Sequence, residues 1–255
     1  MQTAALFDRL DEELSIADYA EIDASANGLQ LGTRSGDADR VAFAVDGVLA
    51  TIEAAAEWNA DVLVVHHGLS WGGIERITGR TYERIAALIE NDSSLYAAHL
   101  PLDAHQSFGN AAGLADLLDM GNRAPFGKLG PVTVGQQGWL QQPMTRAELQ
   151  STLEAELDHG GAGVEVLGFG PEEIETAAIV TGSGTDWLDE AAAADVDAFI
   201  TGEGEGKLYH MARESGMNVF LGGHYATETF GVESLADLVA DWGPETTVIS
   251  EPTGL

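Results

Sequence analysis

Two adjacent histidines stand at a position where α/β proteins commonly bind ligands. His66 and His67 follow the largely apolar run 61–65 directly, and Gly68 comes next. If that run is a strand, the pair lies at its carboxyl end, which is where open α/β sheets bind their ligands. Adjacent side chains on an extended chain point in opposite directions, so the imidazoles could serve two ions, or one could bind while the other orients a neighbour. A hydrogen-bonded structural pair is the alternative.

Carboxylates and further histidines follow the later apolar runs. Asp103 comes after the run 95–98, and its alternative role is that of a helix cap or turn former. His224 and Glu228 come after the run 218–221, and their four-residue spacing lets both side chains converge on one helical turn. Because every member of the set stands at a predicted strand end, we predict a metal site formed by His66, His67, Asp103, His224 and Glu228.

Two glycine-rich turns are weaker candidates. The turn 181–186 lies between a predicted strand and a predicted helix, so its backbone N–H groups could bind an anion. It lacks the lysine of a phosphate-binding P-loop, and a tight structural turn is the alternative. The turn 201–207 is placed similarly and carries Glu203, which is a candidate for a general base or for a residue that lines the cavity.

The charge of the chain argues against several classes of partner. Its 255 residues include 42 Asp and Glu against 11 Lys and Arg, a formal net charge of −31. General nucleic-acid binding needs a basic surface that this composition does not supply, and an anionic membrane would repel the chain. Lysine occurs only at Lys128 and Lys207, and this composition favours a halophilic protein whose self-repulsion is screened by molar salt. An ordinary acidic protein is the alternative.

The absence of cysteine restricts the possible chemistry. Without cysteine there is no disulfide, no thiolate nucleophile and no cysteine zinc site, so a metal must be bound by histidines and carboxylates. No apolar run approaches the roughly 18 residues of a membrane span, and the N-terminus is rich in acidic residues. We therefore expect a cytoplasmic protein without membrane insertion.

Alternating strands and helices are predicted to position these residues. An amphipathic helix is expected at the N-terminus, where Leu6, Phe7, Leu10 and Leu14 recur at helical spacing. Short apolar runs then alternate with alanine-rich stretches of helical period, a pattern typical of βαβ units. The pattern breaks between 120 and 144, where three prolines and five glycines occur.

These elements predict an α/β fold made of two α/β domains. Each domain is expected to have a mostly parallel or mixed sheet with flanking helices, and the metal site is expected at strand carboxyl ends in the cleft. We place the domain boundary in the interrupted stretch. Residues 1–124 would carry His66, His67 and Asp103, and residues 125–255 would carry His224 and Glu228.

Four motifs resemble those of a known family. They are Asn27-Gly28-Leu29-Gln30, Val65-His66-His67-Gly68, Leu100-Pro101-Leu102-Asp103-Ala104-His105 and Gly223-His224-Tyr225-Ala226-Thr227-Glu228. In the same order they look like the NGG-interacting-factor-three-like family, also called the dinuclear metal centre or GTP cyclohydrolase I type 2 homolog family. The resemblance covers about residues 27–240 and matches the compact members that lack an inserted domain.

The resemblance implies a site, an assembly and an activity. The metal ligands of the family fall on the five residues above, which implies two divalent ions per chain, whether zinc, iron, manganese, cobalt or nickel. His99 matches a further family histidine, and with Glu203 it is our candidate for a catalytic role beside the ligands. The family also implies a toroidal homohexamer with its metal sites facing an internal cavity.

The resemblance favours a metal-dependent hydrolase that acts on a nucleotide or related substrate. In such a site two ions roughly 3.5 to 4 Å apart activate water and stabilise the developing oxyanion. The alternative function is that of a non-catalytic metal-binding ring, or a regulatory ring that interacts with other proteins.

Overall fold

Strands and helices alternate along the computed structural model, which describes all residues 1–255. The helices are α1 (Thr3–Glu13), α2 (Leu49–Glu57), α3 (Arg80–Glu90), α4 (Leu100–Asp103), α5 (Asn110–Leu117), α6 (Arg146–Glu156), α7 (Leu188–Ala193), α8 (Leu208–Ser215), α9 (His224–Thr227) and α10 (Thr229–Asp241). The strands are β1 (Gly28–Leu31), β2 (Arg40–Asp46), β3 (Val62–His67), β4 (Ser94–Ala97), β5 (Met120–Leu129), β6 (Val132–Thr145), β7 (Glu165–Gly168), β8 (Glu173–Ile179), β9 (Ala198–Thr201), β10 (Asn218–Leu221) and β11 (Glu245–Val248). None of the helices combines the length and apolar composition that a membrane span needs.

The chain divides into two units with discontinuous sequences. Unit 1 comprises Met1–Leu102 and Gly231–Glu251, and unit 2 comprises Asp103–Phe230 and Pro252–Leu255. This division differs from the boundary that the sequence predicts at 124/125, because it assigns Asp103 to unit 2 and returns the residues after Phe230 to unit 1. The chain passes from one unit to the other within α4, again within α10, and a third time between Glu251 and Pro252.

Unit 1 contains a five-stranded sheet in the order β1-β4-β3-β2-β11. The strands β4, β3, β2 and β11 are parallel to one another, and β1 is antiparallel to β4. A parallel sheet that is covered on both faces requires apolar residues at successive positions, and the whole run Val62–Val65 is buried accordingly. The register pairs Asp46, at the end of β2, with His67 at the end of β3, so polar side chains of neighbouring strands meet at the same edge.

Amphipathic helices complete the core of unit 1. Ile52 of α2 and Leu88 of α3 belong to one buried cluster with Leu63 and Leu95 from the sheet. The predicted N-terminal helix is present as α1, and its Phe7 stacks on Tyr96 with ring centroids 5.6 Å apart.

Unit 2 contains a six-stranded sheet in the order β5-β6-β8-β9-β10-β7. The central strands β8, β9 and β10 are parallel, whereas the pairs β5-β6, β6-β8 and β10-β7 are antiparallel. Helices α5 and α6 contribute Leu114, Leu149 and Leu153 to a buried cluster with sheet residues such as Ile179 and Phe220. The prediction of an α/β fold with mixed sheets and flanking helices is confirmed.

The stretch 120–144, which the sequence suggests as a domain boundary, is a β-hairpin of unit 2. Leu129 pairs with Val132, so Gly130 and Pro131 form a two-residue turn, in which Gly130 has a φ of 58°. Glycine adopts this left-handed conformation without strain. Strand β5 lies at the edge of the sheet and pairs with another strand on one side only. An edge strand can therefore include Pro125, which has no backbone N–H to donate. The prolines and glycines therefore belong to an edge hairpin and not to a linker.

Candidate metal centre

His66 is a buried residue near the carboxyl end of β3. Its side chain is fully buried, and its Nδ1 lies 2.9 Å from the carbonyl oxygen of Ala98, the residue that follows β4. A carbonyl oxygen can only accept a hydrogen bond, so Nδ1 carries the proton and Nε2 of the neutral ring carries the lone pair. A histidine that binds a metal through Nε2 commonly has this arrangement, because the second hydrogen bond fixes the tautomer and the ring orientation.

His67 and His99 show the same arrangement with carboxylate acceptors. The Nδ1 atom of His67 lies 2.9 Å from Oδ1 of Asp46, and Nδ1 of His99 lies 2.9 Å from Oδ1 of Asp23. In both rings Nδ1 is the donor, so Nε2 is the nitrogen through which the deprotonated ring could bind a metal. The Asp23 carboxylate also accepts a hydrogen bond from Nδ2 of Asn27, whose side-chain oxygen in turn accepts from the backbone N–H of His99.

The acceptor of His99 has an altered pKa. Burial alone would raise the pKa of Asp23, but the hydrogen bond and charge of His99, with further hydrogen bonds from Asn27 and Ser25, outweigh burial and lower the pKa to about 2. Asp23 is therefore ionised throughout the neutral range, and its charge holds the orientation of the imidazole.

The three imidazoles form one group in unit 1. Each of His66, His67 and His99 offers a ring nitrogen, and these atoms lie within 4.8 Å of one another. The ring centroids of His66 and His67 are 4.6 Å apart, although adjacent residues of a regular strand point to opposite faces. The acceptors of the two Nδ1 atoms come from the two strands that neighbour β3. Ala98, directly after β4, accepts from His66, and Asp46, the last residue of β2, accepts from His67. These hydrogen bonds orient both rings towards a common region.

His224 and Glu228 converge in unit 2. Nε2 of His224 lies 3.3 Å from Oε1 of Glu228, as the four-residue spacing predicts, and its Nδ1 lies 3.0 Å from Oε1 of Glu203. Burial alone would lower the pKa of His224, but the hydrogen bonds and charges of Glu228 and then Glu203 raise it to about 9. Glu203 thus has the same relation to His224 that Asp46 has to His67.

The turn after β8 connects these residues to Asp103. The Asp103 carboxylate is buried, and its Oδ1 accepts hydrogen bonds from Nδ2 of Asn110 at 2.8 Å and from Oγ1 of Thr181 at 3.4 Å. A Cβ on the next residue, Gly182, would overlap Oε1 of Glu228, and the φ of Gly182 is 62°. The glycine is therefore required for the close approach of Glu228 to this turn.

Two backbone N–H groups of the turn 181–186 form hydrogen bonds within unit 2. The backbone N–H of Gly182 donates to Oγ1 of Thr227 at 3.1 Å, and that of Gly184 donates to Oγ1 of Thr201 at 2.9 Å. These two N–H groups are already used within unit 2, which favours the structural alternative for this turn.

The predicted site residues fall into one group in each unit. Unit 1 brings together His66, His67 and His99, and unit 2 brings together Asp103, Glu203, His224 and Glu228 around the turn after β8. The acceptors Asp46 and Asp23 were not among the sequence candidates. Asp46 could have been found because it ends an apolar strand run, as His67 does. Asp23 carries no such signal.

The donor set fits a divalent metal ion. Imidazole nitrogens combined with carboxylate oxygens suit first-row metals such as zinc, iron, manganese, cobalt and nickel. In all three histidines of unit 1 and in His224, Nδ1 is bound to an oxygen acceptor, which is the support that metal-binding histidines receive in proteins. In the metal-free chain the proton on His224 would have to leave before its Nε2 could bind a metal.

Comparison with known proteins agrees with the sequence motifs. The chain matches the family model described as Duf34/NIF3 (NGG1p interacting factor 3) over residues 1–253. A protein of Halobacterium salinarum named GTP cyclohydrolase 1 type 2 homolog is 52% identical over 255 residues, with 100% of both chains covered. A protein of the same name from Archaeoglobus fulgidus is 41% identical over 256 residues, again with 100% of both chains covered.

A solved structure shares the whole fold. The crystal structure of TTHA1606 from Thermus thermophilus is similar to this chain with a TM-score of 0.89 and 37% sequence identity, and the similarity covers 100% of both chains. The match to the family model, the sequence identities and the shared fold lead to one conclusion. The chain belongs to the Duf34/NIF3 family.

Proposed function

We propose that this protein binds two divalent metal ions and hydrolyses a nucleotide or a related substrate. The ligands of this proposal are His66, His67, Asp103, His224 and Glu228. The observation that carries it is the common support of the imidazoles: in each, Nδ1 donates to a carbonyl or carboxylate oxygen, which presents Nε2 for coordination. The buried carboxylates of Asp103 and Glu228 add the negative charge that a divalent ion requires.

The metal ions would supply Lewis acidity, which activates water and stabilises negative charge that develops on the substrate. The protein residues would orient the ligands. Glu203 holds the ring of His224, and Asp23 holds the ring of His99, so we assign Glu203 and His99 roles beside the metal ligands. The hydrogen bond from His224 favours an orienting role for Glu203 over that of a general base.

The names of the relatives support a substrate class for this proposal. Relatives at 52% and 41% identity carry the name GTP cyclohydrolase 1 type 2 homolog, and this supports a nucleotide as the first substrate to test. The resemblance to the family further supports a homohexamer, and the net charge of −31 supports a protein that works in a cytoplasm of high salt.

A turnover screen tests the proposed function. The protein is purified without chelator, loaded separately with each candidate metal, and assayed in molar salt against nucleotides and phosphoesters. We expect hydrolysis that depends on one of the metals and is abolished in His66→Ala. Tight metal binding without turnover of any substrate would contradict the hydrolase and favour the non-catalytic metal-binding ring.

A further inference from the structure

Two asparagines of unit 2 are fully buried, and their side chains bind different kinds of group. Asn110 and Asn218 are both 0% exposed. The side chain of Asn218 accepts a hydrogen bond from one backbone N–H and donates to two backbone carbonyl oxygens. Asn110 donates through Nδ2 to a side chain, the carboxylate of Asp103, at 2.8 Å. Because burying an amide costs free energy unless it is hydrogen-bonded, the partner of each side chain indicates what that residue is needed for.

The core of unit 2 fixes the place of Asn110. It is the first residue of α5, and Ala111 and Leu114 of the same helix belong to the buried cluster of unit 2. The loop before the helix is closed by the backbone N–H of Gly109, which donates to the carbonyl oxygen of His105 at 2.9 Å. The Asn110 amide is therefore held by a packed helix and a closed loop.

A second donor reaches the same carboxylate from another element of unit 2. Oγ1 of Thr181, in the turn after β8, lies 3.4 Å from Oδ1 of Asp103, the oxygen that also accepts from Asn110. The bond from Asn110 is the shorter of the two. Both donors are uncharged, so they orient the carboxylate without neutralising the negative charge that a divalent ion requires.

We propose that Asn110 is a positioning residue, which holds Asp103 in the orientation that binds a metal ion. Carboxylates that bind metals are themselves hydrogen-bonded in proteins, and losing such a partner costs about 10- to 100-fold in metal affinity. Asn110 would thus do for a carboxylate what Asp46 does for the imidazole of His67. The inference rests on the proposed function, because it takes Asp103 as one of the metal ligands.

A purely structural role is the competing explanation. Asn110 would then brace the loop 104–109 through its bond to Asp103, as Asn218 braces backbone segments elsewhere in unit 2. The position of Asp103 favours the role in the site. Its second donor, Thr181, precedes Gly182, whose Cβ position lies against Oε1 of Glu228, another proposed ligand. The bond from Asn110 therefore fixes a carboxylate beside the turn that Glu228 approaches.

Titration with Co²⁺ separates the two roles. Affinity is measured by competition with a chelator in molar salt, and the visible absorption of Co²⁺ reports the geometry of its ligands. Asn110→Ala should weaken Co²⁺ binding by about tenfold or more and alter the absorption spectrum. The volume-filling variant Asn110→Leu should do the same and replaces Asn110→Ala where that variant does not fold. Asn218→Ala, the matched control, should lose stability in denaturant titration but keep the affinity and spectrum of the parent.

A double-variant cycle tests whether Asn110 acts through Asp103. Asp103→Ala should weaken Co²⁺ binding by itself, and adding Asn110→Ala to it should cause little further loss. Fully additive losses would overturn the inference in favour of the structural role. If Asp103→Ala binds too little Co²⁺ to titrate, equal affinities of Asn110→Leu and Asn218→Ala would overturn it.

Failure of the inference can be told apart from failure of the proposed function. Parent affinity in Asn110→Ala together with weakened binding in Asp103→Ala would overturn the inference and leave the proposed ligands standing. Parent affinity and spectrum in Asp103→Ala would contradict the proposed ligand set, and the inference with it.

Discussion

The Nδ1 atom of His224 lies 3.0 Å from Oε1 of Glu203, and this hydrogen bond determines which nitrogen of the ring can bind a metal. The carboxylate accepts a hydrogen bond from the Nδ1–H group, and Nε2 is directed towards Glu228. The sequence suggests Glu203 as a general base or as a residue that lines the cavity, and from this contact we propose that it orients His224. The same relation, with Asp46 and Asp23 as acceptors, recurs at the histidines of unit 1.

The first prediction concerns this acceptor. Glu203→Gln should weaken metal affinity by about tenfold, because removing the carboxylate that orients a metal-binding histidine typically costs 10- to 100-fold. Turnover should recover when the metal concentration is raised to saturation. Competition with a fluorescent chelator measures the affinity, and Glu214→Gln, an exposed change on α8, is the control. A turnover defect that persists at saturating metal would point instead to a proton-transfer role.

Metal binding should release a proton from His224. Its pKa is raised to about 9 in the metal-free chain, so the ring is protonated at pH 7, and a metal at Nε2 must displace that proton. Apparent affinity should rise as pH increases towards about 9 and level above it. Calorimetry at pH 8 in buffers of different ionisation enthalpy counts the protons. Less release is expected in Glu203→Gln, because that variant loses one of the charges that raise the pKa.

Asp23 should stabilise the fold except in acid. Its pKa of about 2 lies below that of an unfolded aspartate, so the stabilisation is present above about pH 4 and is lost as pH falls towards 2. Its side chain is only 2% exposed. We expect Asp23→Asn to lower the free energy of unfolding by about 2 kcal/mol at neutral pH. Denaturant titration at constant salt checks this, with exposed Asp18→Asn as the control, and a difference that stays constant down to pH 2 would refute it.

Metal binding should require glycine at position 182. A larger residue there would crowd the side chains of Glu228 and His224 and would also strain the backbone. In Gly182→Ala the new methyl group would overlap Oε1 of Glu228 and approach Nε2 of His224 to 3.1 Å. Gly161→Ala is the matched control, since Gly161 also has a positive φ but has no atom within 4 Å of its Cβ position. Both variants should lose about 1 kcal/mol of stability. Only Gly182→Ala should lose bound metal, measured by elemental analysis.

The proposed hexamer should depend on salt. Each chain of a hexamer adds a formal charge of −31, and at about 0.01 M salt the screening length of roughly 30 Å allows subunits to repel one another. At molar salt the repulsion is confined to a few ångströms and apolar burial can dominate. Light scattering across a salt series should show that the hexamer dissociates as the salt concentration is lowered. A particle whose size stays constant down to about 0.01 M salt would contradict the proposal that the protein is adapted to high salt.

Strand ends were the part of this structure that the sequence predicted best. Apolar runs bounded by polar residues identify buried strands such as β3 and β10. The polar residue that follows each run must lie where the strands end, on the carboxyl side of the sheet. His67 and His224 could therefore be placed from the sequence alone. The spacing of His224 and Glu228 also gave their contact correctly, because it is local to one turn.

Long-range pairings were beyond the same reasoning. The hairpin of β5 and β6 has the composition of a linker, since an edge strand tolerates proline and a tight turn needs glycine. The bond between Asp23 and His99 joins residues 76 positions apart and depends on the tertiary fold. The discontinuous units likewise depend on β11, at the end of the chain, pairing with β2.

The central proposal is that His66, His67, Asp103, His224 and Glu228 bind the metal ions, and the metal content of one double variant tests it most directly. His66→Ala/His224→Ala removes one imidazole from each unit, and His159→Ala/His210→Ala removes two histidines outside the proposed ligand set. Elemental analysis of protein purified without chelator should find two metal equivalents per chain in the parent and in the second variant, and close to none in the first. Two full equivalents retained in His66→Ala/His224→Ala would contradict the claim.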